Sequence, residues 1–157
     1  MMSVILPGSY DPVTLGHVDV IRRAAEMYDE VYAVIFVNPE KSYRFTLDDR
    51  VRMLMLATDE LDNVLVSYSN GLVVDYMREH GIEKIVKGYR NGTDLEYERR
   101  QAEYNFAHGG YETELLECSP ELEGISSTLA RKMLEEGKSL AGIVPTAVEE
   151  YIRRITE

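Results

Sequence analysis

The sequence predicts an α/β protein built on a five-stranded parallel sheet, and two observations carry that expectation. Short runs rich in β-branched residues alternate with stretches of helical spacing, and the runs are apolar at both odd and even positions, as in strands covered on both faces. The repeated strand–helix alternation within 157 residues fits an open sheet with right-handed crossovers and leaves too little chain for a closed barrel. The expected architecture is Rossmann-like: doubly wound, with helices on both faces, in a single domain over residues 1–157.

Each element follows from its local pattern. The first strand is expected at Ser3 to Leu6, followed by a helix whose stripe is Val18, Ile21, Ala25 and Tyr28. The second is Val31 to Val37; after it, Thr46-Leu47-Asp48-Asp49 resembles a capping box with a shortened acid, ahead of Val51, Leu54 and Ala57. The third strand, Val64 to Ser67, precedes a helix through Val73, Tyr76 and Met77 that stops at Gly81. The fourth, Ile82 to Val86, precedes a helix through Leu95, Ala102 and Phe106 that stops at Gly109. The fifth, Thr113 to Leu116, leads to a helical stretch from Leu129 to Glu135, ending at Gly137. After Pro145, Val148, Tyr151, Ile152 and Ile155 mark a last amphipathic helix.

Composition excludes several functions. With 17 Lys and Arg against 28 Asp and Glu, the net charge of -11 opposes binding to a phosphate polymer, so no nucleic-acid partner is expected. The longest apolar run, Val31 to Val37, is far short of the ~20 residues that span a bilayer, and Met1 to Pro7 lacks the basic segment of a signal peptide. No membrane partner is expected. One cysteine, Cys118, forms no intrachain disulfide and suits a reducing, cytoplasmic location.

In an open α/β sheet, ligands bind beyond the carboxyl ends of the strands, so chemistry should sit in the loops after them. The first is Pro7-Gly8-Ser9-Tyr10-Asp11-Pro12-Val13-Thr14-Leu15-Gly16-His17, which delivers hydroxyls, glycines and a helix N-terminus suited to phosphate. A plain turn with His17 as an N-cap residue explains it equally well. After the second strand, Lys41 can meet an anion or be a solvated loop lysine. After the third, Asn70-Gly71-Leu72-Val73 offers an apolar wall or ordinary core packing. After the fourth, Lys87-Gly88-Tyr89-Arg90 places two cations around a glycine in an otherwise acidic chain. Of the acids that follow, most complement a helix dipole, and Glu98 stays open as a site residue. After the fifth, Ser126-Ser127-Thr128 offers more hydroxyls than one cap requires. Together these loops predict a polyphosphate site.

Other chemistries lack their motifs. The sequence contains no G-x-x-x-x-G-K-[ST] loop, no G-x-G-x-x-G and no G-x-S-x-G, and its Cys and His spacing suits no structural metal. His80 and His108 lie near expected helix ends, and Cys118 reads as structural.

The loop ending in Thr14-Leu15-Gly16-His17, with Ile125-Ser126-Ser127-Thr128 downstream, resembles the paired signature of the nucleotidyltransferase superfamily with T/H-x-G-H and I-S-S motifs. Along nearly its whole length the chain is similar to the bacterial phosphopantetheine adenylyltransferase family. The Asn-Pro-x-Lys stretch ending at Lys41, Phe45-Thr46-Leu47 with Arg50, Lys87-Gly88-Tyr89-Arg90 and Asp94 to Glu98 match in order and spacing. The resemblance implies transfer of the adenylyl group of ATP to 4′-phosphopantetheine with Mg²⁺, giving dephospho-coenzyme A and pyrophosphate. It also implies a homohexamer and feedback by coenzyme A.

By that resemblance, His17, Lys41 and Arg90 serve catalysis, and Ser9, Lys41, Val73 and Lys87 hold the acceptor. Ser9, Tyr10, His17, Gly88, Tyr89, Arg90 and Glu98 would contact ATP, and so would Leu122, Glu123, Gly124, Ile125, Ser126, Ser127 and Thr128. Three positions depart from the family pattern: Lys87 stands where Arg is usual, Tyr10 replaces a common Phe, and Leu15 stands where Asn is frequent. The sequence also admits two other readings. One is a relative that uses nicotinate mononucleotide or glycerol 3-phosphate, whose members usually carry His at the Thr14 position; the other is a non-catalytic nucleotide-binding module.

Overall fold

The computed structural model describes residues 1–156. Five parallel strands, β1 (Ser3–Gly8), β2 (Glu30–Phe36), β3 (Val64–Ser69), β4 (Lys84–Tyr89) and β5 (Thr113–Glu117), form one sheet in the order β3-β2-β1-β4-β5. Helices α1 (Leu15–Met27), α2 (Leu47–Ala57), α3 (Val73–His80), α4 (Gly92–Gly109), α5 (Ser127–Glu135) and α6 (Thr146–Ile155) cover it. The Rossmann-like, doubly wound arrangement is therefore the observed fold.

The alternation within each strand sorts the core. In β1, Val4 and Leu6 join one cluster while Ile5 joins the other; in β2, Val31, Ala33 and Ile35 separate from Val34 in the same way. The larger cluster takes in Ile21 and Ala24 of α1, Met53 and Leu54 of α2, Ala130 of α5, and Val148 and Ile152 of α6. The smaller takes in Tyr76 and Met77 of α3 with Ile82 and Ile85. The two faces are unequal, because no residue of α4 is buried.

The strand order also explains where a ligand can enter. β1 pairs with β2 over six residues, from Ser3↔Glu30 to Gly8↔Ile35, but with β4 only at Val4↔Lys84 and Ile5↔Ile85. β1 and β4 therefore lose their pairing beyond those residues, although each keeps its outer neighbour. Crossovers leave this point in opposite directions along the sheet, so the gap lies at the topological switch.

Several boundaries differ from the sequence pattern. β4 begins at Lys84 rather than Ile82, because the Ile82 N–H is taken by Met77 O (2.9 Å) as α3 ends through Gly81 in the left-handed conformation (φ 66°). β4 continues past Val86 to Tyr89 because it still pairs with β5 up to Tyr89↔Glu117. β1 and β3 likewise run on, to Gly8 and Ser69. Gly109 stays inside α4, and the left-handed cap is Gly110 (φ 75°). Thr46 caps α2 through the Asp49 N–H (3.1 Å), but the Asp49 carboxylate accepts the Tyr151 hydroxyl of α6 (2.7 Å). A short 3-10 turn at Pro120–Leu122, absent from the sequence reading, precedes α5.

Candidate active site

Two clefts open at the switch point. The first, about 370 Å³, lies between the β1–α1 loop, the end of β4 and the start of α5. The second, about 640 Å³, runs from Ser9 and Asn38 past Val73 to Ile85, Ala102 and Thr113, between α3 and α4. Pro7, Lys87, Tyr97 and Glu98 line both, so the clefts meet there.

Long-range hydrogen bonds fix the loops that form the walls. The buried Asp11 carboxylate accepts the N–H groups of Arg44 (2.8 Å) and Phe45 (3.0 Å), which fastens the β2–α2 loop to the β1–α1 loop. Arg50, also buried, donates to Phe45 O and Ser9 O and stacks on Tyr43 at 3.9 Å. Ser127 Oγ donates to Pro12 O (2.8 Å) and Arg131 Nη1 to Asp11 O (2.7 Å), tying in α5. Three loops from distant parts of the chain thus share one scaffold, with each polar group buried at the joint given a partner. Within it Tyr10 holds a left-handed backbone (φ 48°), and its buried hydroxyl donates to Leu6 O (2.8 Å).

His17 occupies the third position of α1, and the N-cap is Thr14, which corrects the reading of His17 as an N-cap residue. The two residues form a reciprocal cap: Thr14 Oγ1 accepts the His17 N–H, and His17 Nδ1 accepts the Thr14 N–H at 2.9 Å. A backbone N–H can only donate, so Nδ1 carries the lone pair and the proton of the neutral ring is on Nε2. Burial lowers the His17 pKa to about 4, and the charges of Lys87 and Arg90 push in the same direction. At neutral pH the ring is an uncharged donor with its tautomer set by the helix cap, packed against Tyr10 at 4.9 Å.

Lys87 Nζ donates to Pro7 O (3.3 Å) across the gap between β4 and β1 and lies 3.6 Å from Glu98 Oε2. Arg90 is paired with Asp94 (Nε to Oδ2, 2.9 Å), so this acid does more than complement the α4 dipole. Gly88 is required by contact: a Cβ there would stand 2.6 Å from Val20 Cγ2 of α1. Gly16, in contrast, has room, its nearest neighbour being Thr14 Oγ1 at 3.5 Å.

The first cleft gathers Tyr10, His17, Lys87, Gly88, Tyr89, Arg90 and Glu98 with Leu122, Ile125, Ser126, Ser127 and Thr128. Ser126 caps α5 through the Leu129 N–H (3.0 Å), and Ser127 is engaged with Pro12, so both hydroxyls also have structural roles. Glu123 and Gly124 do not line either cleft and lie in the turn before α5. Ser9 and Val73 line the second cleft. Lys41 lies outside both linings, exposed, with Nζ 3.3 Å from Ser9 Oγ at the mouth.

Sequence reasoning missed Asp11, Arg131 and the pairing role of Asp94, whose partners lie in other loops or were assigned otherwise. Cys118 also lines the first cleft, where burial raises its thiol pKa and keeps it protonated.

A constellation of hydroxyls, helix N-termini, two cations and a neutral imidazole donor suits phosphoryl chemistry that needs no nucleophilic side chain. The family model described as Cytidylyltransferase-like matches residues 5–133, from within β1 through most of α5, and takes in all the loops just described. The chain belongs to the cytidylyltransferase-like family, within the nucleotidyltransferase superfamily.

Proposed function

We propose that this nucleotidyltransferase moves the adenylyl group of ATP to 4′-phosphopantetheine, forming dephospho-coenzyme A and releasing pyrophosphate. The observation that carries this reading is the pair of clefts joined at Lys87 and Glu98. ATP would occupy the first, with its phosphates toward His17 and the α5 N-terminus. The acceptor would lay its arm in the second, past Val73 and Ala102, with its phosphate at Lys87, Ser9 and Lys41. The second cleft, about 640 Å³ and partly apolar, exceeds what glycerol 3-phosphate would fill, which favours the longer acceptor.

The acceptor phosphate is already anionic, so no general base is required. Its oxygen forms the new bond to the α-phosphorus as the bond to the β-phosphate oxygen breaks, and pyrophosphate leaves with that electron pair. The protein's work is alignment and charge compensation: Lys87 and Arg90 offset the repulsion between two anions, and His17 Nε2–H donates to the α-phosphate oxygens as charge gathers there. Mg²⁺ would arrive with ATP as part of the co-substrate, and the chemistry it would supply is charge neutralisation on the pyrophosphate. Among the described residues no group of three His, Cys, Asp or Glu side chains is arranged to hold a metal. Coenzyme A would span both clefts and compete as a feedback inhibitor. A homohexamer and a cytoplasmic location complete the proposal.

The test is pyrophosphate release with Mg-ATP and, separately, 4′-phosphopantetheine, nicotinate mononucleotide and glycerol 3-phosphate. Release with the first alone is expected. Release only with another acceptor overturns the substrate, and no release with any of them, in protein that binds ATP, supports a non-catalytic module instead.

A further inference from the structure

The junction of the two clefts contains an acid that the transfer reaction itself does not use. Glu98 projects from α4 into the place where two anionic substrates would meet. Its side chain is 11% exposed, and Oε2 is buried with no hydrogen-bond partner. The one cation paired with it among the described residues is Lys87, at 3.6 Å, beyond hydrogen-bond range. Lys87 spends its observed hydrogen bond on Pro7 O. The pair is therefore an ion pair held by charge alone, with the carboxylate the more deeply buried member. A buried carboxylate that loses its only counter-ion is costly unless it becomes neutral.

The surrounding charges sharpen this. Lys87 and Arg90 face the junction from β4 and its loop, His17 from α1, and Asp94 and Tyr97 from α4 itself, while Arg90 is committed to Asp94. Burial already raises the Glu98 pKa, Lys87 opposes that rise, and Asp94 adds to it. Withdrawing Lys87 removes the opposing influence.

We propose that Glu98 is a positioning residue for Lys87: it holds the ammonium at the junction until a phosphate monoester takes that ammonium as its counter-ion, whereupon Glu98 takes up a proton from solvent and remains as a neutral acid. The charges balance, since the ammonium exchanges one carboxylate for a phosphate and one proton enters. This role differs from the nucleotide contact implied by the resemblance, and it rests on the proposed function only in placing a phosphate at Lys87. It also gives a physical reason for Lys at this position: a compact point charge can move between two anions, whereas a planar guanidinium could hold both at once.

The experiment is calorimetric titration of the full chain with 4′-phosphopantetheine and, separately, inorganic phosphate, at about pH 7 to 8 in two buffers of different ionisation enthalpy. Proton uptake greater in the parent chain than in Glu98→Gln, which should still bind phosphate, is expected; the difference between the two chains cancels the phosphate's own titration. Glu98→Asp should retain the uptake. Equal uptake in the parent chain and Glu98→Gln would overturn the proposal and assign the proton elsewhere, with His17 first in line. So would failure of both phosphates to bind the parent chain. Glu98-dependent uptake with inorganic phosphate, but no binding of 4′-phosphopantetheine, would sustain the Glu98 role while removing the acceptor. Should Glu98→Gln not fold, infrared spectra of the parent chain decide: a carboxylic-acid C=O band must appear when phosphate binds, and its absence overturns the proposal.

Discussion

Replacing His17 tests the site most directly, because the geometry separates its two tasks. As a donor through Nε2–H, it is comparable to a single oxyanion-stabilising donor, whose removal costs about 10²- to 10³-fold in kcat, or about 3 to 4 kcal/mol. As an acceptor through Nδ1 it completes the Thr14 cap, worth about 1 kcal/mol, which in a chain of 157 residues lowers Tm by roughly 2 to 4 °C. His17→Ala should therefore show a large fall in kcat, little change in the KM for ATP, and a small drop in Tm. The pH dependence adds a second readout. Because the folded pKa is about 4 and the unfolded value is 6.5, the unfolded chain binds the proton first as pH falls. The stability linked to a neutral His17 is complete above about pH 6.5, declines between there and about pH 4, and amounts to at most about 3 kcal/mol. Urea titrations of the parent chain and His17→Gln across this window should differ by that slope, with other groups cancelling. An unchanged kcat in His17→Ala refutes the donor role, and parallel stability curves refute the buried neutral ring.

Gly88→Ala places a methyl 2.6 Å from Val20 Cγ2, and a helical valine has little rotamer freedom to withdraw. A loss of about 1 to 3 kcal/mol is expected by thermal unfolding, recovered in part by adding Val20→Ala; failure of that second change to help would argue against the contact. Asp11→Ala leaves the Arg44 and Phe45 N–H groups without their acceptor, so a loss of roughly 3 kcal/mol and a raised KM for the acceptor are expected, with a smaller effect on ATP. Tyr10→Phe removes the hydroxyl bond to Leu6 O, which should cost about 1 kcal/mol in a denaturant titration and leave kcat unchanged. A large kcat effect there would give the Tyr10 hydroxyl a part in the reaction.

The fold was legible because its signals are local. Runs apolar at both parities marked β1 and β2, and the core divides Val4 and Leu6 from Ile5 as that pattern requires. The differences are local too: the apolar pattern places Ile82 in β4, yet its N–H closes the cap of α3. The loops of the site could be placed from topology, since any doubly wound sheet gathers them at one edge. Their fastening could not be placed. Asp11 meets Arg44 across 33 positions and Arg131 across 120, separations at which periodicity carries no information. The need for glycine at Gly88 was hidden for the same reason, because it depends on Val20 in α1.

Charge was the point on which sequence and structure differ most usefully. The net charge of -11 made Lys41, Lys87 and Arg90 stand out as an island of positive potential. In the folded chain two of the three arrive with an acid: Lys87 with Glu98 and Arg90 with Asp94. Lys41 rests on Ser9 Oγ and forms no salt bridge among the described residues. The site is therefore closer to neutral than its cations suggest: Lys41 is the one of the three open to phosphate by simple attraction, and at Lys87 and Arg90 a phosphate must displace carboxylates from their partners, or have those carboxylates neutralised. Binding strength then reflects the difference between two sets of ion pairs, which is smaller than either set alone and sensitive to pH through the acids that are released. An acidic chain can thereby keep its cations in place without substrate and still present them to small phosphates.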